Sequence, residues 1–292
     1  MCRWFDSAPG HQHSCALPPV SGFRAFLHFA NNFYNPTSTL RMQGRFNEFK
    51  INCIASFIDA SRLAFEGFGK SFCWFRGQSC ASWGLVPSVH RAYDQAGEHN
   101  LTAHFRLSAQ TRHLRTPDLS DLAGWISLMQ HFGLPTRLLD WTSSPLTALF
   151  FALEVGADYA AVWGLVPTSL NVASNSGPAE IYTLAGPEAL PLLLAGLERG
   201  PRVDRVMAVM GQDIDLRMTL QQGAFTLHDT DFPLSDRPDA NMYLAKFVIP
   251  YAARAKLKEE LYFLGIRRSC LFPDLANLAL DLATDNYRAP RK

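Results

Sequence analysis

The sequence predicts an α+β domain in which a mixed sheet is flanked by helices. Two kinds of apolar segment support this prediction: short, bulky segments typical of core strands, and longer segments with apolar residues at helical spacing. The predicted strands are Ser71–Gly77, Arg137–Trp141, Tyr159–Val166, Leu220–Leu227 and Met242–Pro250. The predicted helices are Phe46–Phe65, Gly97–Arg115, Leu119–Met129, Pro145–Glu154, Gly200–Gly211 and Tyr251–Leu264.

Composition places the chain among ordinary globular proteins. Its 292 residues are 48% hydrophobic and 18% charged, which suits one large domain or two small ones. The net charge of +1 argues against a uniformly basic nucleic-acid binder, although it leaves a local basic groove open. The apolar stretch Ala185–Leu197 is interrupted by Pro187, Glu188 and Pro191, so we expect a soluble protein without membrane contact.

Both chain ends are predicted to lie outside the folded domain. Residues 1–45 lack a sustained period, which is typical of an extended arm with at most one short helix, and residues 284–292 form a tail. His11, His13 and Cys15 could chelate a metal, but their polar, Pro-containing segment favours a tail, and we predict no metal. Scattered cysteines without a CxxC pair, and no leader segment, favour a cytoplasmic location.

Glycines mark the ends of the first elements. Gly67-Phe68-Gly69 stops the first predicted helix, and Gly77 closes an aromatic-rich strand that carries Arg76 near its end. The next helix, Gly97–Arg115, has charges that we interpret as a solvated face rather than a binding surface.

The most regular helical pattern lies at Leu119–Met129, where the apolar residues fall on one face. Asp118 or Ser120 is its expected N-cap, and Gly133 follows its end. The helix Pro145–Glu154 is apolar nearly all round and is expected to be buried.

The C-terminal half combines strands and helices. Gly200–Gly211 has helical spacing, and Leu220–Leu227 is a strand interrupted by Gly223. The amphipathic helix Tyr251–Leu264 ends at Gly265 and opens a helical C-terminal part.

Arg76 is the first candidate for chemistry. An arginine at the end of an aromatic strand is held near the core, where its planar fork suits a phosphate or a carboxylate. The alternative is an internal ion pair with an acid such as Asp140, and the local sequence does not separate the two.

The second candidate is the run Thr142-Ser143-Ser144, at a strand end just before a buried helix. Free N–H groups and the positive end of the helix dipole meet there, so an anion site is physically favourable. Simple capping by Ser144, with Pro145 in the first turn, is the alternative. Neither GxGxxG nor GxxxxGK[ST] occurs, which excludes the usual dinucleotide-binding and P-loop motifs.

The third candidate is Gln130-His131-Phe132-Gly133, an amide and an imidazole in the last turn of a helix. The dipole favours a cationic His131 there, and a C-terminal cap is the alternative. No GxSxG motif is present, so a hydrolase of that type is not expected.

Taken together, several segments resemble the FRG-domain family. They are Phe75-Arg76-Gly77-Gln78, Trp83, Leu85-Val86-Pro87-Ser88, Arg91, the run QHFGLPTRLLDWT from Gln130 to Thr142, Ala148–Ala152, Arg217, Gln221–Phe225, Ile266 and Leu271–Leu275. The resemblance covers about residues 46–283, and the QHFGLPTRLLDWT run is its most specific part.

A more distant resemblance is to ADP-ribosyltransferases of the Arg–Ser–Glu type. In those enzymes one strand carries a YRG-like arginine that binds NAD, and a later strand carries an STS-like run before a helix. Arg76 and the Thr142-Ser143-Ser144 run match these two elements in type and order. The resemblance implies a split mixed sheet flanked by helices. The glutamate expected on a late strand is replaced by Gln221 and Gln222, so another acid such as Asp140 would have to supply the charge.

The resemblance implies that NAD is the co-substrate and that ADP-ribose passes to a protein, RNA or DNA acceptor. The implied catalytic residues are Arg76, Ser143, Gln222 and Asp140. The implied NAD contacts are Arg76, Gly77, Gln78, His131, Arg137, Trp141, Thr142 and Ser143, with Trp74, Phe75 or Trp141 as the nicotinamide wall. Such an enzyme suits a toxin or phage-defence effector held in check by a neutralising antitoxin protein. The alternatives are a non-catalytic nucleotide- or protein-binding module and an NAD glycohydrolase.

Overall fold

The computed structural model describes residues 41–284, apart from 44–46, 67–71, 157–158, 176 and 212–215. The strands in this part of the chain are β1 (Arg41–Gln43), β2 (Asn47–Lys50), β3 (Trp74–Gln78), β4 (Leu138–Thr142), β5 (Tyr159–Leu165), β6 (Tyr182–Thr183), β7 (Val206–Met210), β8 (Gly223–His228) and β9 (Leu244–Pro250). The helices are α1 (Ile54–Phe65), α2 (Gln95–Ala109), α3 (Leu122–His131), α4 (Pro145–Leu153), α5 (Pro167–Asn175), α6 (Leu190–Leu197), α7 (Leu216–Gln221), α8 (Arg254–Phe263), α9 (Arg268–Leu271) and α10 (Leu275–Thr284). His11, His13 and Cys15, for which a tail rather than a metal site is predicted, lie outside the described residues, as do the Gly67-Phe68-Gly69 stop and residues 285–292.

The described strands join in one mixed sheet, in the order β1-β2-β9-β5-β3-β4-β8-β7-β6. The β2–β9 and β6–β7 pairs are parallel, and the other pairs are antiparallel. The predicted α+β class, with a mixed sheet and flanking helices, is therefore confirmed. The sheet is continuous, but β3 and β4 share one residue pair, Phe75 with Thr142, whereas β3 pairs with β5 along five residues. The sheet thus opens between β3 and β4.

A strand lies at each of the five predicted positions, as β3, β4, β5, β8 and β9, but Leu220 and Gln221 belong to α7, and Gly223 begins β8 rather than interrupting it. Four predicted helices are confirmed as α2, α3, α4 and α8, and Gly133 and Gly265 follow α3 and α8 with positive φ. The predicted N-cap of α3 is wrong, because Asp121 rather than Asp118 or Ser120 accepts the hydrogen bond from the first turn.

Two segments predicted as helices contain strands. The segment Phe46–Phe65 begins with β2, where Phe49 is buried and stacks on Phe247 of the parallel neighbour β9, with ring centroids 5.8 Å apart. Only its second part is helical, as α1, which begins after the N-cap Cys53. The helix prediction for Gly200–Gly211 is wrong, since β7 lies there between β6 and β8. In both segments, pairing with other strands outweighs the local spacing of apolar residues.

The two faces of the sheet are covered differently. On one face α4 lies directly on β3, between an apolar cluster that includes α1 and α8 and another that includes α3 and α6. On the other face, Trp74, Trp141 and Trp163 form a core with Leu234 and Tyr243, which belong to the segment between β8 and β9. The opening between β3 and β4 therefore lies in the middle of the domain.

Candidate functional site

Arg76 and Asp140 bridge the opening between β3 and β4. The side chain of Arg76 is 2% exposed, and its Nη1 donates to the backbone oxygen of Asp140 at 2.9 Å and lies 3.9 Å from Asp140 Oδ2. Because the two strands have separated here, the guanidinium makes the cross-strand contact that the backbone does not make. The structure thus agrees with the alternative interpretation of Arg76, an internal partner of Asp140.

Asp140 belongs to a buried polar network. Gln130 Nε2 donates to Asp140 Oδ1 at 2.7 Å, and Gln130 Oε1 accepts a hydrogen bond from the Thr136 hydroxyl. Burial raises the pKa of Asp140 to about 6, although Arg76, Gln130 and Arg217 each oppose this rise. Such an acid changes its charge near neutral pH, which is a common property of acid–base groups in active sites.

Ser143 and Gln222 meet at the exposed end of the β4–β8 pair. The Ser143 hydroxyl donates to Gln222 Oε1 at 2.8 Å, and the Ser143 amide donates to the backbone oxygen of Gln222 at 3.0 Å. Both residues are exposed. The structure therefore brings together two residues that were predicted as site residues from segments far apart in the sequence.

The backbone of Gln222 is strained. Its φ of +50° lies in the left-handed region, which a residue with a Cβ adopts at a cost of about 1–2 kcal/mol. Gln222 follows α7 directly, where glycine is the usual residue. A strained, exposed amide held by a neighbouring hydroxyl is typical of a functional position.

Thr142 and Ser144 fix the start of α4. The Thr142 hydroxyl donates to the backbone oxygen of Gln221 at 2.6 Å and accepts from the Ser144 amide at 3.0 Å. The Ser144 hydroxyl accepts from the amide of Thr147 at 3.3 Å, so the predicted capping by Ser144 is confirmed. Of the three hydroxyls in this run, that of Ser143 is the one at an exposed residue.

Three of the implied NAD contacts lie inside the fold. Gln78 Oε1 accepts from Trp163 Nε1 at 2.8 Å, and Trp141 Nε1 donates to Thr226 Oγ1 at 3.0 Å. Gly77 lies against the backbone of α4. The structure does not bring these three residues to the exposed end of β4 and β8.

Among the other implied ligand contacts, His131 and the predicted nicotinamide walls are also not exposed. His131 is half-buried at the end of α3, where its ring meets Phe132 edge to face, with centroids 4.8 Å apart. Trp74 and Phe75, like Trp141, are buried in the core, so none of the predicted nicotinamide walls is exposed.

Arg137 is fully buried and its guanidinium is enclosed by acids. Nε and Nη2 donate to the two carboxylate oxygens of Glu98 at 2.8 and 2.7 Å, and Nη1 donates to Asp229 Oδ1 at 2.8 Å. Burial alone would lower the pKa of Arg137, but the hydrogen bonds and charges of Glu98 and Asp229 raise it. Arg137 joins α2, β4 and the end of β8, and this role is structural. The sequence analysis identified neither Glu98 nor Asp229.

Comparison with known families gives one match, which covers part of the chain. The family model for the FRG domain matches residues 71–160. The chain contains an FRG domain. The match lies within the range over which the sequence resembles this family, and it includes β3, β4 and α4. Gln222 lies beyond the matched part of the FRG domain. No curated protein and no solved structure matches the chain.

Two features are absent from the described residues. None of the helices in the part of the chain that the structure describes is long and apolar enough to span a bilayer. Within the same residues, no cluster of three or more His, Cys, Asp and Glu side chains could hold a metal ion.

The raised pKa of Asp140 predicts a pH effect on stability. The folded pKa of about 6 lies above the ordinary value of 3.8, so protonation favours the folded state, and this gain grows as the pH falls below 6. Between pH 7 and pH 5 we expect the wild type to gain about 1 kcal/mol of unfolding free energy relative to Asp140→Asn. Urea unfolding of both proteins at the two pH values measures this difference. An unchanged difference, or a relative loss by the wild type, would contradict the assignment.

Proposed function

We propose that this FRG domain binds NAD at the exposed end of β4 and β8 and transfers its ADP-ribose to a macromolecule. The observation that carries the proposal is the 2.8 Å hydrogen bond between Ser143 and Gln222. It places a hydroxyl and an amide side by side, immediately before the N-terminus of α4. The acceptor in this proposal is a protein, an RNA or a DNA.

The chemistry of NAD suits these groups. A ribose diol needs hydroxyl and amide partners, which Ser143 and Gln222 supply. A pyrophosphate is favoured by the positive dipole end of a helix, and α4 begins beside Ser143. In this proposal Arg76 is a positioning residue, because its guanidinium holds β4 beside β3.

The reaction breaks the bond between nicotinamide and the ribose. Nicotinamide leaves with the bonding electron pair, positive charge develops on the ribose, and a nucleophile of the acceptor forms the new bond and loses a proton. The Gln222 amide can hold a ribose hydroxyl but adds no negative charge. Asp140 lies three residues before Ser143 in the chain, and its pKa of about 6 leaves it mostly ionised at neutral pH, so in this proposal it supplies the charge that the Arg–Ser–Glu pattern places on a glutamate.

One observation favours a second candidate function, a non-catalytic nucleotide-binding module. Asp140 is 4% exposed, so its carboxylate lies below the surface that carries Ser143 and Gln222. A site without an exposed acid can bind NAD but stabilises the developing positive charge poorly.

Labelled NAD distinguishes these functions. Purified protein is incubated with NAD and cell extract, and NAD binding, nicotinamide release and label on protein or nucleic acid are measured. The test variant is Ser143→Ala/Gln222→Gly, which removes both polar groups and fits the left-handed backbone. We expect it to lower NAD binding and label transfer at least tenfold, since two hydrogen bonds together contribute about 1.4 kcal/mol or more.

The matched control is Ser120→Ala/Gln110→Ala, which changes the same residue types at exposed positions away from the site. It is expected to behave as the wild type. Nicotinamide without labelled macromolecule favours a glycohydrolase, and NAD binding without turnover favours the binding module. Wild-type protein that neither binds nor consumes NAD would exclude all three functions.

The proposed activity suits a toxin-like effector that a second protein keeps inactive. A transferase that modifies nucleic acid or protein in its own cell would require a neutralising protein partner. Expression of the wild type without neighbouring genes is then expected to slow growth, and the Ser143→Ala/Gln222→Gly variant is expected to be tolerated.

A further inference from the structure

A cavity of about 290 Å³ lies at the other end of α4, between α8 and the last two helices. Its floor is apolar and is formed by Phe150, Leu153, Leu261 and Ile266. Its other lining residues are mostly charged. Its volume is close to the lower limit of about 300 Å³ for small-molecule sites in proteins.

The charges at this cavity are unequal. Three cations and two carboxylates line it, which leaves one positive charge in excess. Both carboxylates are engaged: Glu154 pairs with Arg268 Nη1, and Asp281 Oδ2 accepts from the Ser269 amide at 2.6 Å. The cations are Arg267, Arg268 and Lys258, and of these Lys258 is exposed.

An aromatic wall completes the cavity. Tyr262 lines it, and the guanidinium of Arg267 lies over the Tyr262 ring, 4.4 Å from the centroid. This contact fixes the orientation of the ring and keeps a second cation beside the cavity.

We infer that this cavity binds a small organic anion, with a compact apolar body and one carboxylate or phosphate group. The apolar body would lie on the floor of the cavity, and the anionic group would lie at the mouth near Lys258. The cavity is distinct from the candidate NAD site, because α4 runs from Ser144 to it over nine residues, or about 13 Å. The inference does not depend on the proposed function.

Binding of three anionic probes tests the inference: indole-3-acetate, octanoate and phenyl phosphate. The uncharged control ligand for indole-3-acetate is indole-3-acetamide, which has the same apolar body. We expect at least one anion to bind with a millimolar or lower Kd, and indole-3-acetate to bind about tenfold more tightly than its amide. Lys258→Glu is expected to weaken binding of the anion about tenfold and to leave the amide unaffected.

The matched control is Lys256→Glu, which makes the same charge change on the same helix at a residue outside the cavity lining. It is expected to bind the anions as the wild type does. Thermal unfolding of both variants shows whether each is folded. The inference is overturned if no probe anion binds below about 10 mM, if the acid and the amide bind equally, or if Lys256→Glu weakens binding as much as Lys258→Glu.

Discussion

Replacing Gly77 with alanine is expected to prevent stable folding of the domain. A Cβ at this position would lie 2.0 Å from the backbone oxygen of Ala148 and 2.6 Å from the backbone nitrogen of Ala152. Both atoms belong to the backbone of α4, so no side-chain rotation can relieve the contact, and α4 would have to lift from β3. Overpacking of a core costs about 1–3 kcal/mol even where side chains can adjust, so we expect a loss above about 3 kcal/mol. That is a large part of the roughly 5–15 kcal/mol that stabilises a typical domain.

Gly156→Ala is the matched control, because no atom lies within 4 Å of a Cβ built there. Far-UV circular dichroism and urea unfolding of the two variants measure the effect. Gly156→Ala should keep the wild-type midpoint, whereas Gly77→Ala should unfold at a much lower urea concentration or lack the native spectrum. Equal midpoints would show that α4 does not lie on β3 as closely as described.

The close approach at Gly77 gives the Phe75-Arg76-Gly77 sequence a physical reason. Phe75 enters the apolar cluster beneath α4, Arg76 crosses the opening to Asp140, and Gly77 lets α4 lie on the strand. Alternate residues of a strand face opposite sides of the sheet, so these roles can be neighbours in sequence. Packing alone accounts for the glycine, whereas its implied contact with NAD stays a prediction.

The strands that carry the candidate site could be predicted because their signals are local. Aromatic residues followed closely by a glycine mark β3, and Ser144 with Pro145 marks the boundary between β4 and α4. The strands β2 and β7 could not be predicted in this way. Their conformation depends on partners far along the chain, such as β9 for β2, and spacing of apolar residues over so few positions does not separate strand from helix.

The candidate site, like the strands, could be predicted only in part from the sequence. Ser143 and Gln222 were selected by residue type and order, and the pairing of Thr142 with Gly223 in β4 and β8 explains why they meet. The burial of Arg76 was left open, because a strand-end arginine can face either solvent or an internal acid. The partners of Arg137 were missed, since Glu98 lies on a helix whose charges otherwise suit a solvated face.

The second large effect is expected at Arg137, where Arg137→Met would leave Glu98 and Asp229 buried without their cation. Both acids hydrogen-bond to the guanidinium, and neither side chain is more than 3% exposed. Removing one partner of a buried ion pair typically costs about 3–5 kcal/mol, because the remaining charge is left uncompensated. We expect a loss of this size in urea unfolding at pH 7.

Two further variants separate the structural role of Arg137 from a role in binding NAD. Arg106→Met removes a more exposed arginine that pairs with Glu198 at 2.6 Å, and it should cost no more than about 1 kcal/mol. Adding Glu98→Gln and Asp229→Asn to Arg137→Met removes the uncompensated charges, so the triple variant should recover part of the lost stability.

If Arg137 instead contacts NAD, Arg137→Met would retain its unfolding midpoint and lose NAD binding. The enclosure of the guanidinium by two acids and a backbone oxygen argues for the first outcome, because four of its five N–H donors are already bonded and the side chain is fully buried.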